Sequence, residues 1–109
     1  MATEKKTLRL SEEITRAAAR FLEAESNRQA LITVTRVELS PKNNRATVLL
    51  SVLPETEAEK AVAFANRRAS DFRRFLGQAA RMRRLPEVAF ALDRGEQNRQ
   101  RIEELSHLQ

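Results

Sequence analysis

Residues 66–90, NRRASDFRRFLGQAARMRRLPEVAF, decide the fold, because a long helical pattern meets a residue there that it cannot accommodate. At about 100° per residue, the apolar side chains on both sides of Arg68 form one arc, and Arg68 falls inside it. A straight helix would therefore point a guanidinium group at the core. We predict a kink formed by Arg68, Ala69 and Ser70, where Ser70 and Asp71 can cap a new helix.

The end of the same stretch predicts a strand and a further helix. Pro86 ends the helical pattern, and Val88, Phe90 and Leu92 then alternate with smaller or polar residues, as in a strand. Asp93 followed by Glu96 fits a capping box. A weakly packed terminal helix over residues 94–109 is expected.

Upstream of the stretch, the sequence predicts one helix and a hairpin. Ser11 is a good N-cap for a helix over residues 12–25, which leaves residues 1–8 as a flexible N-terminus. The apolar residues of LITVTRVELS change phase near Thr35 and Arg36, which indicates a β-bulge. The turn PKNN then leads into a second strand, RATVLLSVL.

The next helix is expected to begin after Pro54, with Thr56 as its cap. The resulting order is α-β-β-α-kink-α-β, plus the terminal helix. This order predicts an α+β fold in which helices cover one face of a three-stranded mixed sheet. A chain of 109 residues has the size of a single domain, here residues 1–109.

Positive charge is concentrated in one part of the chain. Residues 67–84 contain seven arginines and one acid, whereas the other residues contain 13 basic and 14 acidic side chains. A local excess of this kind favours a polyanionic partner. Seven arginines are therefore the candidate nucleic-acid-binding residues: Arg67, Arg68, Arg73, Arg74, Arg81, Arg83 and Arg84.

Other classes of function find little support in the sequence. There is no cysteine and a single histidine, so no thiolate metal site, metal cluster or catalytic triad is predicted. No apolar run suits a signal peptide or a membrane span. We expect a cytoplasmic protein that is not an enzyme and that has no cofactor, metal, membrane partner or small-molecule substrate.

Three segments in this order resemble the ribosome-binding factor A family: RVELSPKNNRATVLLSVL, FRRFLG and RMRRLPEVAFALD. The resemblance extends over most of the chain, from about Leu8 to Leu108. It implies a type II K-homology-like fold and a protein that binds the small (30S) ribosomal subunit and its 16S rRNA. It also implies a role in late subunit maturation and rRNA processing, including adaptation to cold.

The chain departs from the family pattern at three places. Arg68, Ala69 and Ser70 occupy the positions of a family Ala-x-Gly kink, Lys42 replaces an acid in the hairpin turn, and residues 26–28 replace Asp-Pro-Arg. A serine lacks the backbone freedom that glycine would give the kink. Three of the family's basic positions are kept, at Arg73, Arg81 and Arg83.

The aromatic residues bear on how RNA would be recognised. Sequence-specific binding of single strands usually stacks bases on exposed aromatic rings. The five aromatic residues are all phenylalanines, and their spacing places Phe21, Phe64, Phe72 and Phe90 in the core, with Phe75 at its edge. We therefore expect recognition through shape and phosphate contacts.

Two alternatives remain open from the sequence. The chain could be a general K-homology-type module for single-stranded RNA, or a protein-interaction module. The second alternative would use the apolar stripe of the terminal helix, formed by Ile102, Leu105 and Leu108. In each case the expected state is a monomer.

Overall fold

The computed structural model describes residues 2–25, 29–80, 82 and 84–107. In these residues the elements follow the predicted order. They are α1 (Ala2–Glu25), β1 (Leu31–Leu39), β2 (Arg45–Leu53), α2 (Ala58–Arg67), α3 (Ala69–Ala80), β3 (Glu87–Leu92) and α4 (Arg94–His107).

The three strands form a mixed sheet in the order β1-β2-β3, in which β2 is central. β1 pairs with β2 antiparallel, and β3 pairs with β2 parallel. The register of β1 shifts between Val34, opposite Leu50, and Arg36, opposite Leu49. Thr35 is therefore the extra residue of the predicted bulge, which turns the apolar residues on both sides of it toward the same face.

The turn between β1 and β2 depends on Asn43, whose φ of 58° lies in the left-handed region. Asparagine tolerates this conformation better than most residues. The Asn43 N–H donates to the Ser40 carbonyl at 2.9 Å, and the Ser40 N–H donates to the Arg45 carbonyl at 3.0 Å. The PKNN sequence thus forms the predicted hairpin turn.

The main core lies between one face of the sheet and helices α1, α2 and α3. Its buried residues are Ile14, Ala17, Ala18, Phe21, Leu22, Ala46, Val48, Leu50, Ala65, Phe72, Leu76 and Phe90. The Phe72 ring is central, with ring centroids of Phe21 at 5.4 Å and Phe90 at 5.7 Å. The predicted layer of helices on one face of the sheet is confirmed.

The first helix begins earlier than the sequence analysis placed it, at Ala2 rather than near residue 12. Residues 2–10 contain neither glycine nor proline and are rich in strong helix formers. Leu10 extends the apolar stripe onto the core. Ser11 is consequently inside the helix, and its hydroxyl donates to the Leu8 carbonyl at 3.0 Å instead of capping.

The predicted cap of α2 is also wrong. A short 3-10 turn, Glu55–Glu57, precedes α2 and is closed by the Glu57 N–H donating to the Pro54 carbonyl at 3.0 Å. Thr56 therefore lies within this turn, and Glu57 occupies the N-cap position without a side-chain hydrogen bond.

A buried glutamine attaches α4 to the central strand. β3 pairs with β2 only as far as Leu50, so the backbone N–H and carbonyl of Val52 have no partner on β3. The Gln97 side chain fills that place, because its amide donates to the Val52 carbonyl at 2.7 Å and accepts from the Val52 N–H at 2.9 Å. One side chain thus continues the hydrogen bonding of the sheet.

Asp93 connects the end of β3, the bulge and α4. Its carboxylate accepts from the Glu96 N–H at 3.1 Å, so Asp93 caps α4 as predicted. The other half of the predicted capping box does not form, because the Asp93 N–H donates to the Leu50 carbonyl and the Glu96 carboxylate binds Arg99. The Asp93 carboxylate also accepts from the Thr35 hydroxyl at 2.6 Å. The Thr35 hydroxyl first, then the Glu96 N–H and the nearby Arg36, hold the pKa of the Asp93 carboxyl below its usual value of 3.8.

This lowered pKa predicts an acid-sensitive contribution to stability. A carboxyl with a depressed pKa in the folded state stabilises above its unfolded pKa, and the effect disappears as the pH falls through the folded pKa. Urea unfolding should show Asp93→Asn less stable than the wild type by about 1 kcal/mol at neutral pH. The difference should close below pH 3.8. A difference that is independent of pH would contradict this role of the carboxylate.

Candidate nucleic-acid interface

The kink lies at Arg68, within the predicted segment. Arg68 has φ −98° and ψ 9°, and its N–H is shared between the carbonyls of Phe64 at 3.2 Å and Ala65 at 3.0 Å. Helical hydrogen bonding resumes where the Phe72 N–H donates to the Arg68 carbonyl at 2.8 Å. Ser70 and Asp71 both lie inside α3, which begins at Ala69, so neither caps the helix as predicted.

The kink does not require a glycine. Within the described ranges, Asn43 has the only positive φ, so the backbone at the kink stays in right-handed conformations. A serine adopts these as readily as other residues do. Ser70 can therefore replace the family's glycine at this kink without backbone strain.

Arg68 holds the kink by ion pairs. Its guanidinium lies 2.8 Å from the Glu25 carboxylate at the end of α1 and 3.4 Å from the Asp71 carboxylate one turn later. Arg68 is half-buried because it lies on the apolar side of the helix. The two carboxylates neutralise its guanidinium group at the surface. Arg68, a predicted RNA contact, is thus paired within the protein.

Asn66 attaches the end of α2 to the open edge of β3. Its side-chain amide donates to the Phe90 carbonyl at 2.9 Å and accepts from the Phe90 N–H at 2.8 Å. An unpaired strand edge can pair with other chains, and this contact covers part of it. It also fixes the position of the arginines that follow. The sequence analysis did not identify Asn66; its only signal was a poor helix former next to the break.

Arg73 is bound to the loop before β3. Its guanidinium donates to the Pro86 carbonyl at 2.8 Å and to the Leu85 carbonyl at 3.1 Å. Leu85 in turn packs beside Gly77, where an added Cβ would approach it to 3.2 Å. These contacts place residues 84–86 against α3. We infer a positioning role for Arg73, and its predicted RNA contact remains a prediction.

The positioning role predicts different effects for two neighbouring arginines. Arg73→Ala should lower the free energy of unfolding by about 1–3 kcal/mol, because two loop carbonyls lose a charged donor. The matched control is Arg74→Ala, which removes an exposed side chain and should change stability by less than about 0.5 kcal/mol. Urea unfolding measures both values. Equal stabilities would contradict the role of Arg73.

Three described arginines of the cluster remain exposed: Arg67 at the end of α2, Arg74 in α3 and Arg84 in the loop. None of the three forms an ion pair with another described residue within 4 Å. Arg81 and Arg83 lie outside the described residues. The structure thus presents unpaired guanidinium groups on both sides of the kink and beside α3, as phosphate binding requires.

One of the phenylalanine predictions is wrong. Phe21, Phe72 and Phe90 are core residues, and Phe75 packs at the edge of the core, 5.7 Å from the Phe21 ring. Phe64, however, is half-buried and lines an open-sided cavity. On the helical arc of α2 it lies well to one side of Ala61 and Ala65, so its position could have been recognised from the spacing.

The described residues offer little for other chemistry. They contain no group of three or more histidine, cysteine, aspartate or glutamate residues that could hold a metal ion. In the same ranges, no helix has the length and apolar character needed to cross a membrane. The apolar stripe of α4 is exposed at Ile102 and Leu105, whereas Leu108 lies outside the described residues.

Comparisons of sequence show what the chain is similar to. The family model for ribosome-binding factor A matches residues 6–106. Ribosome-binding factor A of Thermosynechococcus vestitus is 34% identical over 107 residues, covering 94% of this chain and 85% of that protein. Its counterpart in a species of Azoarcus is 35% identical over 100 residues, covering 89% and 79%.

Comparisons of structure agree with those of sequence. The crystal structure of ribosome-binding factor A from Thermus thermophilus has a TM-score of 0.71 and 28% identity, covering 80% of this chain and 96% of that one. A homology model of the Thermus thermophilus protein, fitted into an electron cryo-microscopy map of a 30S complex, has a TM-score of 0.68 and 28% identity. The match covers 77% of this chain and 91% of that one.

Proposed function

The chain belongs to the ribosome-binding factor A family, and on that premise we propose that it binds the small (30S) ribosomal subunit and assists its late maturation. The observation that carries the proposal is the similarity, at a TM-score of 0.68, to a relative placed in a 30S complex. The fold is the K-homology-like α+β fold of that family. The proposed contact is with 16S rRNA.

The exposed arginines supply the chemistry of binding. Guanidinium groups at Arg67, Arg74 and Arg84 would donate paired hydrogen bonds to phosphate oxygens and release condensed counterions. Arg81 and Arg83 belong to the same proposed surface. Arg68 and Arg73 keep this surface in place through their contacts within the protein.

The proposed action is binding without catalysis. A protein that binds one arrangement of the rRNA more tightly than another shifts the population toward the first. No cofactor is needed for this. We further propose that residues 1–109 act as a single domain and as a monomer in the cytoplasm, with a role in rRNA processing and in cold adaptation.

Co-sedimentation with immature small subunits in a sucrose gradient tests the proposal. The protein should migrate with the small subunit at low salt and leave it as the salt concentration rises, since phosphate contacts depend on counterion release. Large subunits in a parallel gradient control for non-specific binding to rRNA. Free migration at low salt, or equal binding to large subunits, would contradict the proposal.

A second candidate function rests on the exposed stripe of α4. Ile102 and Leu105 are 64% and 53% exposed, which is typical of a surface that contacts another protein. The double variant Ile102→Ser and Leu105→Ser would test this, since Gln97 still anchors the helix. Loss of subunit binding with unchanged affinity for isolated rRNA would favour protein interaction.

A further inference from the structure

An open-sided cavity of about 400 Å³ lies between the end of α1, the start of β1 and one side of α2. Ala30, just before β1, and Ile32 of β1 line it from the sheet, and Ala61 and Phe64 line it from α2. Its volume lies within the range of small-ligand sites in proteins. It is separate from the open edge of β3, where Asn66 covers Phe90.

The cavity combines an aromatic ring with cations. Phe64 lies between Lys60 and Arg67 in the same helix, and both of these side chains are exposed. At 1.5 Å per residue, Lys60 and Arg67 are about 10 Å apart along α2. Two carboxylates also line the cavity, Glu57 and Glu25, and Glu25 is paired with Arg68. An apolar surface, a ring, flanking cations and polar groups therefore meet in one place.

This combination matches the chemistry of an unpaired nucleotide. Bases of single-stranded RNA stack on aromatic side chains, while neighbouring basic groups bind the phosphates. The Glu57 carboxylate can also accept hydrogen bonds from the edge of a base. A purely apolar side chain from a protein would use the ring but would leave the two cations without partners.

We propose that the Phe64 cavity binds one unstacked base of single-stranded RNA, with Lys60 and Arg67 on the phosphates beside it. The inference rests on the proposed function and adds a contact to a base to the phosphate contacts described above. It replaces the expectation that recognition depends on shape and phosphate alone, because that expectation assumed Phe64 to be buried in the core.

The test uses a short single-stranded RNA that carries one 2-aminopurine, whose fluorescence changes when the base stacks. Phe64→Leu keeps the apolar bulk and removes the ring. It should bind about tenfold more weakly and lose the fluorescence response. The matched control is Phe75→Leu, which removes another half-buried ring that packs on Phe21. It should keep both the affinity and the response, and thermal unfolding confirms that both variants are folded.

The outcomes separate this inference from the proposed function. A Phe64→Leu variant with wild-type affinity and response would overturn the inference, even if the protein co-sediments with small subunits. The inference would also be overturned if Phe64→Leu no longer co-sedimented with small subunits but still bound the oligonucleotide like the wild type. The cavity would then bind a protein side chain of the subunit and not an RNA base. Binding of the oligonucleotide through Phe64 without any co-sedimentation would support the cavity and contradict the proposed function.

Discussion

A variant that lacks the three exposed arginines, R67A/R74A/R84A, is expected to bind small ribosomal subunits about 100-fold more weakly than the wild type, at about 1 kcal/mol for each contact. The slope of log affinity against log salt should decrease by about one for each lost phosphate contact, or about three in total. Both quantities follow from filter binding over a range of salt concentrations.

The matched control removes the same charge from other surfaces. Arg36 of β1, with Arg94 and Arg101 of α4, is exposed and lies outside the proposed surface. The variant R36A/R94A/R101A has the same net charge as the first variant, so long-range attraction falls equally in both. Its affinity should decrease far less. Equal losses would mean that net charge, rather than a defined surface, causes binding.

Gln97→Ala is expected to lower the free energy of unfolding by about 2–4 kcal/mol, since each buried backbone group left without a partner costs about 1–3 kcal/mol. The N–H and carbonyl of Val52 would both lose their partner in a fully buried part of the sheet. The loss should also release the start of α4. Urea unfolding measures the change.

The neighbouring amide provides the control for this prediction. Asn98 lies next to Gln97 in α4 and is exposed, so Asn98→Ala should alter stability by less than about 0.5 kcal/mol. Similar midpoints and slopes for the two variants would show that the Gln97 contacts contribute little. In that case the packing of α4 would have another cause.

Features with a local signal could be predicted from the sequence. The phase change of the apolar residues around Thr35 located the bulge, because side chains alternate between faces along a strand. Arg68 inside an apolar arc located the kink for a similar reason. Each prediction needed only the periodicity of one segment.

Features that join distant segments could not be predicted in this way. Gln97 and Asn66 are ordinary polar residues in helices, and only the fold brings them to Val52 and Phe90. The division of the arginines into positioning residues and exposed residues could not be predicted for the same reason. Whether an arginine is bound within the protein, like Arg73, or exposed, like Arg74, depends on tertiary contacts.

The central claim is that the surface around the kink faces small-subunit rRNA, and directed hydroxyl-radical probing tests it most directly. The chain has no cysteine, so Ser70→Cys or Thr33→Cys provides a single attachment point for an iron chelate. Ser70 is exposed at the kink, whereas Thr33 is exposed on the sheet face opposite α1, α2 and α3. We predict strong cleavage of 16S rRNA from position 70 and little from position 33. Cleavage from position 33 with none from position 70 would contradict the account.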